Sequence, residues 1–97
     1  MNGHQIKKLV AKYYQIDLDS KSRLPRNVVP RQIAQYLCRR YTSLSKKQIG
    51  CIFGNSDPTT ILSNIRRIDS LLLKDVGIAS DIRALGAVIE LEMENKL

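Results

Sequence analysis

Residues 44–68 read LSKKQIGCIFGNSDPTTILSNIRRI, and the fold turns on how this stretch is parsed. Ser45 with Gln48 three residues on has the form of a capping box, in which each residue's side chain satisfies the other's backbone N–H. Ile49, Ile52 and Phe53 then recur at helical spacing. Gly54 follows, at the point where a helix end commonly needs a left-handed residue. Asp57 is a good N-cap and Pro58 a good first helical residue. Ile61, Ile65, Ile68 and Leu72 form one apolar stripe, while Thr59, Thr60, Ser63, Asn64, Arg66 and Arg67 lie off it. Helix, tight turn, helix, with small polar groups opening the second helix, is the form of a DNA-reading helix-turn-helix.

Working outward, the pattern is helical throughout. A first helix is predicted from about Gly3 to Tyr14, with Ile6, Leu9, Val10 and Tyr13 on its apolar side. A polar connection, DLDSKSRLPRN, follows it. A second helix opens at Pro30 and runs to about Tyr41, burying Ile33, Ala34, Leu37 and Tyr41. After the helix-turn-helix, residues 73–79 contain Gly77 and read as a hinge or turn. Ser80 then caps a fifth helix with Ile82, Leu85, Ile89 and Met93 at helical spacing. The expected fold is an all-α small helical bundle with a helix-turn-helix and an extra C-terminal helix. Residues 1–74 are the expected helix-turn-helix domain and 75–97 a C-terminal extension.

The residues of this parse also carry a family likeness. IGxxFGxxDxTTxxxxxRxI, residues 49–68, resembles the C-terminal duplex-binding domain of the bacterial replication initiator DnaA, where the stretch typically reads IGxxFGGRDHTTVxxAxxKI. Pro30–Leu37, PRQIAQYL, is similar to the family's PRQIAMYL, and Ile6, Val10, Tyr13, Tyr14 and Ile16 match its IxxxVxxYYxI. The likeness covers roughly residues 4–72 and implies a Trp-repressor-like fold. Two positions depart: Pro58 stands where the family has His, and Ser56 where it has Arg. Both family residues help to read the initiator's site, so its sequence preference does not transfer. The family's nucleotide-hydrolysing domain has no counterpart in these residues, which implies a stand-alone binding protein.

Charge agrees with a polyanion partner. The 97-residue chain has a formal net charge of +7, unevenly spread: residues 1–74 hold 14 Lys and Arg against 4 Asp and Glu, residues 75–97 hold 2 against 5. Three groups are candidates for contact with double-stranded DNA. Asp57, Thr59 and Thr60 can meet base edges in the major groove, although Asp-Pro-Thr-Thr would cap any helix equally well. Arg23 and Arg26 lie in the basic connection; the resemblance implies that this loop enters the minor groove, where a solvated charged loop is the plainer alternative. Arg31, Gln32, Lys46 and Lys47 stand at helix starts and suit backbone phosphates, or simply solubility. Cations placed at helix N-termini are mildly unfavourable without an external anion.

Other function classes find no support. One His, four residues from the start, and two separated cysteines make neither a catalytic set nor a metal cluster, so no enzyme, cofactor or metal is expected. Cys38 and Cys51 are expected as free thiols. No apolar run reaches the ~18–20 residues of a membrane span. The expected setting is cytoplasmic and nucleoid-associated, with no membrane and no small-molecule substrate. The function expected is a duplex-DNA-binding, replication- or transcription-associated regulator. The alternative is a protein-interaction module that keeps the fold without sequence-specific DNA reading. The fifth helix must bury its stripe either on the body or against a second copy as a homodimer, since an isolated helix of its length is marginal in water.

Overall fold

The computed structural model describes residues 1–19, 25–54 and 56–95. The described residues form five helices in the order α1 (Gly3–Tyr14), α2 (Pro25–Tyr41), α3 (Lys46–Ile52), α4 (Pro58–Leu71) and α5 (Val76–Asn95). The all-helical expectation holds, with no strand among the described residues.

Helix α1 begins at a capping box that the sequence reading did not single out. Asn2 Oδ1 accepts from the Gln5 backbone N–H at 2.9 Å, and Gln5 Oε1 accepts from that of Asn2 at 2.8 Å. It ends at Gln15, whose left-handed backbone (φ 55°) lets its N–H reach the carbonyls of Ala11 and Lys12. Ile6 and Val10 are completely buried against the core, and α1 packs mainly on α2.

Helix α2 differs from expectation at its start. It opens at Pro25 and carries Pro30 inside, so Pro30 is not its first residue. Both prolines satisfy the first-turn preference, and the motif alone does not choose between them. Packing chooses: the extra turn sets Val29 against the core, which must offset the burial of Asn27, whose Oδ1 has no hydrogen-bond partner among the described residues. The Pro30 ring removes a single backbone donor near the helix start, where few intrahelical bonds are lost. Every residue from Gln32 to Cys38 is buried. A helix covered on all sides has no polar face, and α2 contacts each of the other four helices.

The helix-turn-helix follows the sequence parse closely. Ser45 and Gln48 form the capping box, with Ser45 Oγ accepting from the Gln48 N–H at 3.1 Å. Gly54 adopts φ 82°, the left-handed region. Asp57 caps α4, its Oδ1 accepting from the Thr59 N–H at 2.7 Å. Ile61 and Ile68 are completely buried, with Ile65 and Leu72 packed against the core beside them. The turn closes on Gly50. The Ser56 N–H donates to the Gly50 carbonyl at 2.9 Å, and a Cβ on Gly50 would overlap the Ser56 carbonyl oxygen. Only a residue without a side chain permits that approach.

Helix α5 begins five residues earlier than expected, and residues 76–79 are its first turn, not a hinge. Asp75 Oδ1 accepts from the Ile78 N–H at 3.1 Å and the Asp75 carbonyl from the Ala79 N–H at 3.0 Å, so Asp75 does the capping that Ser80 was expected to do. Ile82, Leu85 and Ile89 join the same core as the other helices, whereas Met93 remains 43% exposed. The expected stripe is thus buried on the chain's own body, and the helix contacts α1 and α2. Tyr13 and Tyr14 donate to the two carboxylate oxygens of Asp81 at 2.9 and 2.7 Å, and Tyr41 donates to Glu90 at 3.0 Å.

Gly50→Ala tests the turn. In an open helix the change gains up to about 1 kcal/mol of propensity. Here the overlap is with backbone, and overpacking of this kind costs about 1–3 kcal/mol. We expect a lower urea midpoint with an unchanged slope. A variant as stable as the parent would mean that the α3–α4 turn is not closed by this approach.

Candidate nucleic-acid interface

The exposed surface of the helix-turn-helix is built from the start of α4. Asp57, Pro58, Thr59 and Thr60 are all exposed, because Ile61 and Ile68 turn the opposite face into the core. Asp57 spends one carboxylate oxygen on the cap. The Thr59 and Thr60 hydroxyls stand on the first turn, where a side chain can enter a groove ahead of the helix body.

An open cleft of about 1020 Å³ lies between α2, the α3–α4 turn and α4. It brings together Arg31 and Gln32 of α2 with Asp57, Thr60 and Asn64 of α4. Thr59, Arg26, Lys46 and Lys47 do not line it. Lys46 and Lys47 open α3, with Lys47 exposed and Lys46 half-buried. The expected candidates therefore fall on two neighbouring surfaces: the α2–α4 cleft and the start of α3.

Two placements differ from expectation. Arg26 stands exposed in the first turn of α2 and not in a loop, since that helix starts at Pro25. Arg23 lies outside the described residues. Gln32 is turned inward and is only 9% exposed. Its Nε2 donates to Asn64 Oδ1 at 3.1 Å, and Asn64 Nδ2 donates to Gln35 Oε1 at 2.8 Å. This chain of amides ties α4 to α2 at its N-terminal half. Gln32 Oε1 is buried without a hydrogen-bond partner among the described residues, a loss of about 1–3 kcal/mol that the contacts around it must offset. In the sequence Asn64 lay off the apolar stripe with the solvent-facing residues; nothing local marks it as an inter-helix tie.

Lys7 is a second feature without a sequence signal. It lies on the apolar side of α1 and is 8% exposed. Its Nζ donates to the Ile52 carbonyl at 2.8 Å, pairs with Asp19 at 2.6 Å and sits 5.2 Å from the centre of the Phe53 ring. A cation at the end of α3 satisfies a carbonyl that has no helical partner and complements the helix dipole. The ammonium thereby fixes the end of α3 to α1. It also holds the Asp19 carboxyl below its ordinary range, chiefly by hydrogen bonding to it.

The remaining chemistry is quiet. Cys38 and Cys51 are both free, the first buried and the second exposed. Burial pushes the Cys38 thiol up to about 12, which keeps it protonated and unreactive. No group of three or more His, Cys, Asp or Glu among the described residues could hold a metal ion. No described helix is long and apolar enough to cross a membrane.

Four helices around a buried central one, with a closed α3–α4 turn and a polar, exposed α4 start, define a helix-turn-helix domain. The chain belongs to the bacterial DnaA protein helix-turn-helix family, whose model matches residues 4–68. The matched region is a helix-turn-helix and not a catalytic domain. The chromosomal replication initiator protein DnaA of Ruegeria pomeroyi is 39% identical over 89 residues, covering 89% of this chain and 19% of the relative. That of Geobacter metallireducens is 43% identical over 83 residues, covering 82% and 18%. That of Limosilactobacillus reuteri is 44% identical over 85 residues, covering 84% and 19%. The chain thus spans about a fifth of the length of the curated relatives it matches.

The Lys7–Asp19 pair predicts a pH dependence. A carboxyl whose folded pKa is depressed stabilises the fold above its unfolded pKa, and that contribution is lost as pH falls through the folded value. Asp19 is largely exposed, so solvent screening limits the pair to at most about 1 kcal/mol. Asp19→Asn should lower the melting temperature at neutral pH, and the two curves should converge at acid pH. A constant offset across the whole range would assign the loss to something other than this ionisation.

Proposed function

We propose that this chain binds double-stranded DNA through the α3–α4 unit and serves chromosomal replication or its control. The observation that carries the reading is the exposed α4 start, with Thr59 and Thr60 beside a cleft that also holds Arg31. In this reading α4 enters the major groove, and Thr59 and Thr60 meet base edges, with Asp57 acting as cap and as neighbour to the bases. Arg31, Lys46 and Lys47 contact backbone phosphates and set the register. Gln32 contributes by holding Asn64 and thus the angle of α4. Arg26, and Arg23 before it, reach the minor groove flanking the site. Residues 1–74 are the DNA-binding unit, consistent with the excess of cations there. Membership of the DnaA helix-turn-helix family and its relatives among the chromosomal replication initiator proteins support the replication role.

Titration of short duplexes at several salt concentrations tests this. Neutralising roughly four to six phosphates gives a log–log slope of about −4 to −5. Thr60→Ala should weaken binding to a selected sequence more than to scrambled DNA, by about 1–3 kcal/mol, whereas Lys46→Ala should weaken both alike. No binding at low salt would sink the DNA reading and leave a protein-interaction module in its place.

Pro58 and Ser56 set the specificity. The Pro58 side chain offers a base no hydrogen bond, and Ser56 lacks the reach of an Arg, its hydroxyl donating to the Phe53 carbonyl at 3.1 Å. Discrimination of the DnaA initiator's usual site over random DNA should therefore be poor in the natural chain. Pro58→His with Ser56→Arg should raise it at least about tenfold, the equivalent of one good base contact. Tight, selective binding of that site by the unmodified chain would show that these two positions do not decide recognition.

A further inference from the structure

Helix α5 has two apolar faces, and the fold uses only one. Ile82, Leu85 and Ile89 are buried, and Gly86 lies directly against the Tyr41 hydroxyl, 2.7 Å from where its Cβ would stand. On the opposite face Ala84, Ala87, Val88 and Leu91 are exposed, at the i, i+3, i+4, i+7 spacing of a helix–helix seam. Val88 is 46% and Leu91 59% exposed, so this is large apolar surface left to water in a strongly charged protein. One edge of the seam carries Arg83, Glu90 and Glu94, all exposed.

We propose that this face of α5 pairs with the same face of a second copy of the chain, antiparallel and about a two-fold axis. Shape and charge both select that partner and that direction. With the axis between Ala87 and Val88, Ala84 meets Leu91 of the second copy and Ala87 meets its Val88, so small residues lie opposite large ones. In an antiparallel two-fold pair the same edges of the two helices lie side by side. Arg83 then falls between Glu90 and Glu94 of the second copy, and the symmetry repeats the contact. A parallel pair would instead bring the Glu-rich C-terminal ends of both helices together. On the other edge Asp81 is turned to the body, where it accepts from Tyr13 and Tyr14. No residue of α5 lines the cleft that holds Arg31 and Thr60. Helix α5 packs on α1 and α2, with Glu90 at Tyr41, the C-terminal end of α2. Arg26 and Arg31 lie near the other end of α2, and Tyr41 is roughly 15 Å beyond Arg31 at 1.5 Å per residue.

Four residues a side make a small seam, below the area of standard interfaces, so the dimer is a weak one. It gains most where two chains are already held close, as on adjacent binding sites. The inference is independent of DNA reading, and its test contains no DNA. Sedimentation equilibrium of the full chain, from micromolar to millimolar concentration, should show a monomer–dimer equilibrium. Val88→Lys should abolish association without lowering the melting temperature, since Val88 packs on nothing in the chain's core. Arg83→Glu should weaken association about tenfold, because the symmetry counts it twice. Adding Glu94→Arg to it, which keeps the Tyr41–Glu90 hydrogen bond in place, should restore association. A chain that stays monomeric at millimolar concentration overturns the proposal. So does association that Val88→Lys leaves unchanged, or that the charge swap fails to restore in a variant with native melting behaviour.

Discussion

The rest of this structure depends on the enclosure of α2. Seven consecutive residues, Gln32–Cys38, are buried, and a helix can be buried all round only if other helices cover every side. Helices α1, α3, α4 and α5 do so. The apolar members, Ile33, Ala34, Leu37 and Cys38, fill the core. The two glutamines cannot, and an unpaired amide in that position is costly. Their side chains instead reach across to Asn64, and this turns a burial problem into an alignment of α4.

The helix-turn-helix is thus held from two directions. Within itself it is closed by backbone: Gly50 lets Ser56 approach, and Gly54 takes the left-handed turn between the helices. From outside it is held by two polar ties of different kind, neutral amides between α2 and α4, and the Lys7 ammonium at the end of α3. The amides hold α4 and the ammonium holds the end of α3. Thr59 and Thr60 stand exposed, outside the core.

Charge is segregated in the same way. Cations concentrate on residues 1–74, and Asp81 and Glu90 of α5 are turned to tyrosines of the body. Asp81 and Glu90 accept from Tyr14, Tyr13 and Tyr41, so α5 is fastened by hydrogen bonds at both ends of its buried stripe. Burial and the Asp81 contact push the Tyr14 hydroxyl well above the usual tyrosine range, which keeps it a donor.

Much of this was legible in the sequence, because the signals are local. A capping box, a glycine after an apolar stripe and an Asp-Pro start each act within one helical turn, and the bounds of α3 and the start of α4 followed from them, while those of α1 followed from its apolar spacing. The start of α2 did not follow, since Pro25 and Pro30 are equally good first residues and only the packing of Val29 on the core selects between them. Nor did the start of α5, where Asp75 and Ser80 both suit a cap and the packing of its first turns against α1 decides. The candidate site divides the same way. Thr59, Thr60 and Lys47 were placed outward by helical spacing alone. The inward turn of Gln32, the amide tie through Asn64 and the buried Lys7 were decided by tertiary structure, because each joins residues 29 to 45 positions apart and no local pattern records such a pairing.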